Sequence, residues 1–188
     1  MIDYINDSND PTICENVKTL LNINKKEYEL EVLDTDGEED YPQMIDMWIS
    51  FGEGFLLVFA INDYESFQQI KPKYDKILKD KKGNKCPILL VGNKCDLEKE
   101  RKVSYSEAKL LADELKIEYI ETSVKTNINC KETFKIIAEN VVKLRTSETG
   151  KRGKVAWFDK KEVINFLSIK NHSYRVIKNY LIILSIKL

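Results

Sequence analysis

Residues 93–96 read Asn93-Lys94-Cys95-Asp96, which puts an amide, an amine and a carboxylate within four positions. They follow the apolar run Ile88 to Val91 and then Gly92, a pattern that reads as a buried strand and its end. Open α/β sheets bind ligands at the carboxyl ends of their strands, and this trio of groups suits the edge of a flat polar ring. An ordinary solvated loop has the same look, so the tetrapeptide must be judged by its company. Three further stretches carry chemistry: Asp10-Pro11-Thr12-Ile13, Asp34-Thr35-Asp36-Gly37-Glu38 and Glu121-Thr122-Ser123-Val124-Lys125.

Each stretch needs an element to hold it. Tyr28, Leu30 and Val32 alternate with Glu27, Glu29 and Glu31, which predicts a strand over 27–33 with one buried and one wet face. A partner strand is expected over 13–23, with Asn24-Lys25-Lys26 as the hairpin turn. Residues 54–61 are apolar throughout, as in a strand covered on both faces. Helices are expected over 43–50 and 66–82, along the apolar stripe Ala108, Leu111, Ala112 and Leu115, and over 131–144. Pro72 should kink the second or mark its first turn. Ser104 and Glu107 form a capping box ahead of the third. Residues 98–102 read as a charged loop, and 117–120 as a short strand. Strands alternating with helices imply an α/β fold, a mostly parallel sheet with helices on both faces and one antiparallel edge. Three of the four stretches then follow apolar strands and gather on one rim.

Composition bounds the rest. The chain has 188 residues, 43% of them hydrophobic and 32% charged, which suits one domain and a tail. The net charge of -1 creates no global field for nucleic acid. It hides an asymmetry: residues 1–145 carry a net of -7 and residues 146–188 a net of +6. That break predicts a domain over 1–145 and a basic, apolar extension over 146–188. Cys14, Cys86, Cys95 and Cys130 form no C-x-x-C, and His172 stands alone, so no zinc cluster is expected and a reduced, cytoplasmic setting is the simplest reading. Met1 to Asp7 has no apolar core of a signal peptide, and the run Tyr180 to Ile186 is too short to span a bilayer.

The four stretches, in this order and behind these elements, resemble the Ras family of small GTPases over roughly residues 4–144. The run from Phe51 to Ile61 resembles the Ras branch more than the Rab, Rho or Arf branches. The resemblance implies the P-loop NTPase-like small GTPase fold, with guanine nucleotide and Mg²⁺ as ligands. By it, Asp96 accepts the ring N–H and exocyclic amine of guanine, and Asn93 bonds the far edge of the base. Lys94 and Lys125 lay their stems on the two faces. The N–H of Val124 reaches the guanine oxygen, and Ser123 braces the loop. Thr12 and Asp34 serve Mg²⁺, the latter through water, and the N–H of Gly37 meets the γ-phosphate. Asn9, Asp10, Pro11, Thr12 and Ile13 belong to an effector-facing switch, and the loop of Gly37 to a second one. Ras-type effectors and regulators are the implied partners.

The chain also departs from the family pattern. Members open with a strand, a Gly-x-x-x-x-Gly-Lys-Ser/Thr loop and a helix, and this sequence starts after nearly all of that. Its seven glycines offer no such spacing, and Gly150-Lys-Arg-Gly153-Lys154 is a decoy with too short a gap. The missing strand is the family's central one, between those predicted over 27–33 and 54–61. Glu38 stands at the water-orienting glutamine position, and Asp36 adds a carboxylate beside the γ-phosphate position. Ile5 replaces a base-stacking ring, and Asn9 a switch tyrosine. The end, Ser185-Ile-Lys-Leu188, carries no prenylation box. Three readings are therefore expected to compete: a GTP/GDP-binding switch with weak or absent hydrolysis, a pseudo-GTPase that binds partners without cycling nucleotide, and a product with no stable fold.

The extension has three readings. Its Ile, Lys, Asn and Tyr bias fits an untypical appendage. Its charge fits a peripheral segment on the cytoplasmic face of the plasma membrane. A helix is expected over 159–169 and a strand over 174–188, and Tyr180 to Ile186 has the length and apolarity to fill the vacant central strand position.

Overall fold

A computed structural model describes residues 16–34, 42–149 and 180–187. The elements are β1 (Asn16–Ile23), β2 (Lys26–Asp34), α1 (Pro42–Phe51), β3 (Gly54–Ala60), α2 (Tyr64–Gln68), α3 (Ile70–Asp80), β4 (Ile88–Asn93), α4 (Tyr105–Leu115), β5 (Glu118–Glu121), α5 (Cys130–Thr149) and β6 (Tyr180–Lys187). A 3-10 helix, Cys95–Glu100, follows β4 where a charged loop is expected.

Local chemistry explains most of these boundaries. Asn24 and Lys25 both adopt positive φ (52° and 65°), and Ile23 pairs with Lys26. This is the two-residue hairpin whose twist matches its strands, so Lys26 opens β2 instead of sitting in the turn. The single helix expected over 66–82 is two, broken at Gln69. Pro72 is the third residue of α3, in a first turn where a missing N–H costs nothing, so it causes no kink. Asp63 caps α2 by accepting from the Glu65 and Ser66 amides at 3.1 and 3.4 Å. Ser104 accepts from the Glu107 amide at 3.1 Å, as the capping box predicts. The last helix continues past residue 144 to Thr149, through the boundary placed near residue 145.

The sheet has six strands in the order β1-β2-β6-β3-β4-β5. β3, β4 and β5 pair in parallel, and β1 and β2 form the antiparallel edge. β6 lies between β2 and β3 and runs antiparallel to both. Four of the six strands, β2 to β5, therefore point the same way. Of the three readings of the extension, strand pairing is what residues 180–187 show. The helix expected over 159–169 lies outside the described residues.

Two apolar layers sandwich the sheet. Phe55, Leu57, Phe59 and Ile61 point to one side, where Ile49, Phe67, Ile70, Ile77, Ala108 and Ala112 of the helices cover them. Leu56 and Val58 point to the other and meet Ile137, Ala138, Val141 and Val142 of α5. Cover on both faces is why β3 is apolar without alternation. Tyr28 and Leu30 are buried in the second layer, while Glu27 is exposed and Glu29 and Glu31 are partly so, as the alternation predicts. Arg145, late in α5, pairs with Glu53 just ahead of β3 and ties the helix to the sheet.

Candidate functional site

The carboxyl ends of β2, β3, β4 and β5 share one rim with the amino end of β6. The register sets this: Asp34 pairs with Ile182, Val58 with Tyr180, Ala60 with Asn93 and Gly92 with Glu121. Asn93 is the last residue of β4, and Glu121 the last of β5. The loops that follow these two neighbours carry the residues that the sequence leads one to expect at a base.

Main-chain bonds stitch the two loops together. The Thr122 amide donates to the Gly92 carbonyl at 2.9 Å, and the Cys95 amide donates to the Thr122 carbonyl at 3.0 Å. Lys94, between them, takes left-handed backbone (φ 63°, ψ 35°), which turns the chain sharply into the 3-10 helix. The Leu97 amide closes that turn on the Lys94 carbonyl at 2.9 Å. Gly92 is needed for close approach: a Cβ there would stand 2.6 Å from Tyr119 Oη and 3.2 Å from Phe59 Cζ.

Side chains then lock the polar groups. Ser123 is fully buried, and its hydroxyl donates to Asp96 Oδ1 at 2.6 Å. Ser123 Oγ in turn accepts from the Thr126 amide at 3.1 Å. The bond from Ser123 to Asp96, first among several causes, holds the Asp96 carboxyl below the ordinary aspartate range, and Lys125 and Lys94 act in the same direction. Asp96 is thus an ionised acceptor at neutral pH. Thr122 Oγ1 donates to Asn93 Oδ1 at 3.3 Å and steadies the amide. Val124 is 70% exposed, and Lys125 beside it is exposed as well.

Asn93, Lys94, Asp96, Ser123, Val124 and Lys125 are therefore brought together. Asp34 closes β2 on the same rim, but β6 and β3 lie between β2 and β4. Three strand spacings put it about 14 Å from the end of β4. Asn9, Asp10, Pro11, Thr12, Ile13, Asp36, Gly37 and Glu38 lie outside the described residues. No group of three or more potential metal ligands occurs among the described residues. Cys86, Cys95 and Cys130 are free thiols. No helix among the described residues is long and apolar enough to cross a membrane. A shallow hollow lined by Lys85, Pro87, Lys116, Asn140 and Lys143 faces away from the rim, at the opposite end of β4 and β5.

Sequence reading missed several supporting residues. Thr122 is only 5% exposed despite its hydroxyl. Asn129 Nδ2 donates to the Glu121 carbonyl at 2.8 Å, and Cys130 Sγ to the Ser123 carbonyl at 3.3 Å. Asn127 and Asn129 both take positive φ (57° and 56°), a habit of asparagine that marks a tight loop but does not name its partners.

Comparison with known proteins agrees with this geometry. A model of the Ras family matches residues 1–143. Ras-related protein Ral-a of Drosophila melanogaster is 37% identical over 149 residues, 79% of this chain and 74% of its own. Ras-like protein 2 of the same organism is 41% identical over 140 residues, 74% of this chain and 72% of its own. Protein ras-1 of Neurospora crassa is 44% identical over 128 residues, 68% of this chain and 60% of its own. With the paired rim loops, the sheet and the helices on both its faces already in place, these likenesses make the chain a member of the Ras family of small GTPases.

Proposed function

We propose that this protein is a Ras-type signalling protein that recognises guanine nucleotides through its rim and hydrolyses GTP weakly or not at all. The bond from Ser123 to Asp96 carries the first half of this reading. A carboxylate held ionised can accept from both the ring N–H and the exocyclic amine of guanine, a donor pair that adenine does not present. Asn93, steadied by Thr122, would take the far edge of the base, and Lys94 and Lys125 its faces.

The second half rests on what surrounds the phosphate side. No Gly-x-x-x-x-Gly-Lys-Ser/Thr occurs within these 188 residues, so no nest of amides of that type is supplied by them. Asp36 and Glu38 add negative charge where the γ-phosphate would lie. Mg²⁺ would be held by Thr12 and, through water, by Asp34, oxygen groups of the kind this hard cation takes. The described part of that pair is the place of Asp34 at the rim end of β2, which suits the role. Bound there, the ion would neutralise phosphate charge.

A second reading is favoured by β6. It occupies the position between β2 and β3, but it starts at the rim instead of ending there. A strand of that direction does not lead into a phosphate loop, which suits a pseudo-GTPase that engages effectors and regulators through residues 9–13 and 34–48. In either case the net charge of +6 over residues 146–188 would favour an anionic, cytoplasmic membrane face.

Titration with fluorescent GDP and GTP analogues in Mg²⁺, followed by a phosphate-release assay, separates the readings. Guanine-selective binding with little phosphate release supports the proposal. Brisk hydrolysis overturns its second half, and absence of guanine binding leaves the interaction module.

A further inference from the structure

The two base-side loops are also clamped at their roots. Arg101 stands just past the 3-10 helix that carries Asp96, and Glu121 ends β5 two residues before Ser123. The guanidinium forks onto the carboxylate, Nη1 to Oε1 at 2.8 Å and Nη2 to Oε2 at 2.9 Å. Its Nε and Nη2 reach back to Glu98 Oε2 at 2.9 and 2.7 Å, and Nη1 also donates to the Val103 carbonyl at 3.1 Å. Tyr119 Oη donates to Glu121 Oε1 at 2.8 Å. That ring is itself fixed, stacked on Phe59 and tilted against Tyr105.

This is not an ordinary surface ion pair. The Arg101 and Glu121 side chains are only 16% and 17% exposed. A forked arginine–carboxylate pair away from bulk water fixes direction as well as distance. Burial pushes the Glu121 carboxyl up, but the hydrogen bonds from Arg101 and Tyr119 more than offset this and leave it below the usual range. Burial, and then the bond to Glu121, push the Tyr119 phenol well up, so it stays a donor. The clamp keeps one protonation state around neutral pH.

Its place in the chain gives it a job. The Asp96–Ser123 bond runs from the segment after β4 to the loop after β5, and the Arg101–Glu121 fork from the same segment to the last residue of β5. One lies at the ligand end and one at the root, with the Cys95–Thr122 main-chain bond beside the former. A rigid piece held at one end only can pivot, whereas one held at both ends cannot. We propose that Arg101 and Glu121 are positioning residues for guanine recognition: the fork fixes the tilt of the 95–100 turn, so that the Asp96 carboxylate meets both the ring N–H and the exocyclic amine of the base. The proposal rests on the guanine-binding reading above.

Inosine diphosphate tests it, because hypoxanthine keeps the ring N–H and lacks the exocyclic amine. The ratio of dissociation constants for inosine and guanosine diphosphates reports how well Asp96 is aimed. General loosening of the fold weakens both ligands alike and leaves the ratio unchanged. The full chain should prefer guanosine diphosphate by about 10-fold or more, the usual worth of a hydrogen bond to a charged group. Arg101→Gln and Glu121→Gln should each bring that ratio toward one, and Arg101→Lys, which keeps the charge without the fork, should restore it only in part. The double Gln variant should do no more than the worse single one, since both act through one contact. A ratio at the unsubstituted value in Glu121→Gln, whose shape is conserved, overturns the proposal. Equal affinity for the two ligands in the unsubstituted chain also overturns it, but by showing that Asp96 does not read the amine. That result is distinct from a failure of the clamp.

Discussion

The hydroxyl of Ser123 donates to Asp96 Oδ1 at 2.6 Å, and so joins the loop after β5 to the 3-10 helix after β4. Replacing Asp96 with Asn exchanges an ionised acceptor for an amide and leaves a guanine donor facing another donor. Guanine preference over adenine should fall by about 10- to 100-fold. Competition binding with unlabelled GDP and ADP measures it, and an unchanged preference would remove Asp96 from the site.

The Asp96 titration can be followed without any ligand. Its carboxyl is depressed chiefly by Ser123, so the stabilisation it brings is present above the ordinary aspartate value of 3.8 and is lost as pH falls through the lower folded value. Ser123→Ala should therefore move the Asp96 titration upward, toward 3.8. Carboxyl-carbon NMR reads this directly. From about pH 5 to 8 both proteins should keep Asp96 ionised, so guanine selectivity should not vary with pH in that window.

β6 makes main-chain pairs on both sides: Leu184 faces Val32 of β2 and Gly54 of β3. Proline at position 184 removes a donor from the middle of the sheet, where proline is not tolerated. Leu184→Pro should cost about 2–3 kcal/mol in urea unfolding, near the upper end for single substitutions. Deleting residues 150–188 should go further, exposing two strand edges and giving an aggregating, non-cooperative fragment on gel filtration and thermal melting. A fragment as soluble and cooperative as the whole chain would show that β6 is not part of the fold.

Gly92 has no room for a methyl group. Gly92→Ala should destabilise the protein by about 1–3 kcal/mol, the usual cost of overpacking. The nearest obstacle is Tyr119 Oη at 2.6 Å, backed by Phe59 Cζ and Ile61 Cγ2 at 3.2 and 3.3 Å. Adding Tyr119→Phe should return part of that stability, as urea midpoints would show, because it removes the closest atom.

Much of this was legible in the chain itself. The alternation across Tyr28 to Val32, the unbroken apolar run of β3 and the capping box at Ser104 are short-range signals, because strand period and helix caps are local physics. The residue types in 93–96 and 121–125 were visible too, but an amide, a lysine and a carboxylate behind a buried strand also suit a solvated loop, so they gained meaning only from their order along the chain. Tertiary structure decided the rest. Pro72 offered two outcomes in the sequence, a kink or a first turn, and the fold takes the second, with α2 ending at Gln68, four residues ahead of the missing N–H. That Arg101 grips Glu121 across 20 positions, and that β6 sits between β2 and β3, are pairings between distant segments. No local pattern specifies such partners, because the free energy that selects them appears only when the whole sheet closes and its apolar faces and strand edges leave water together.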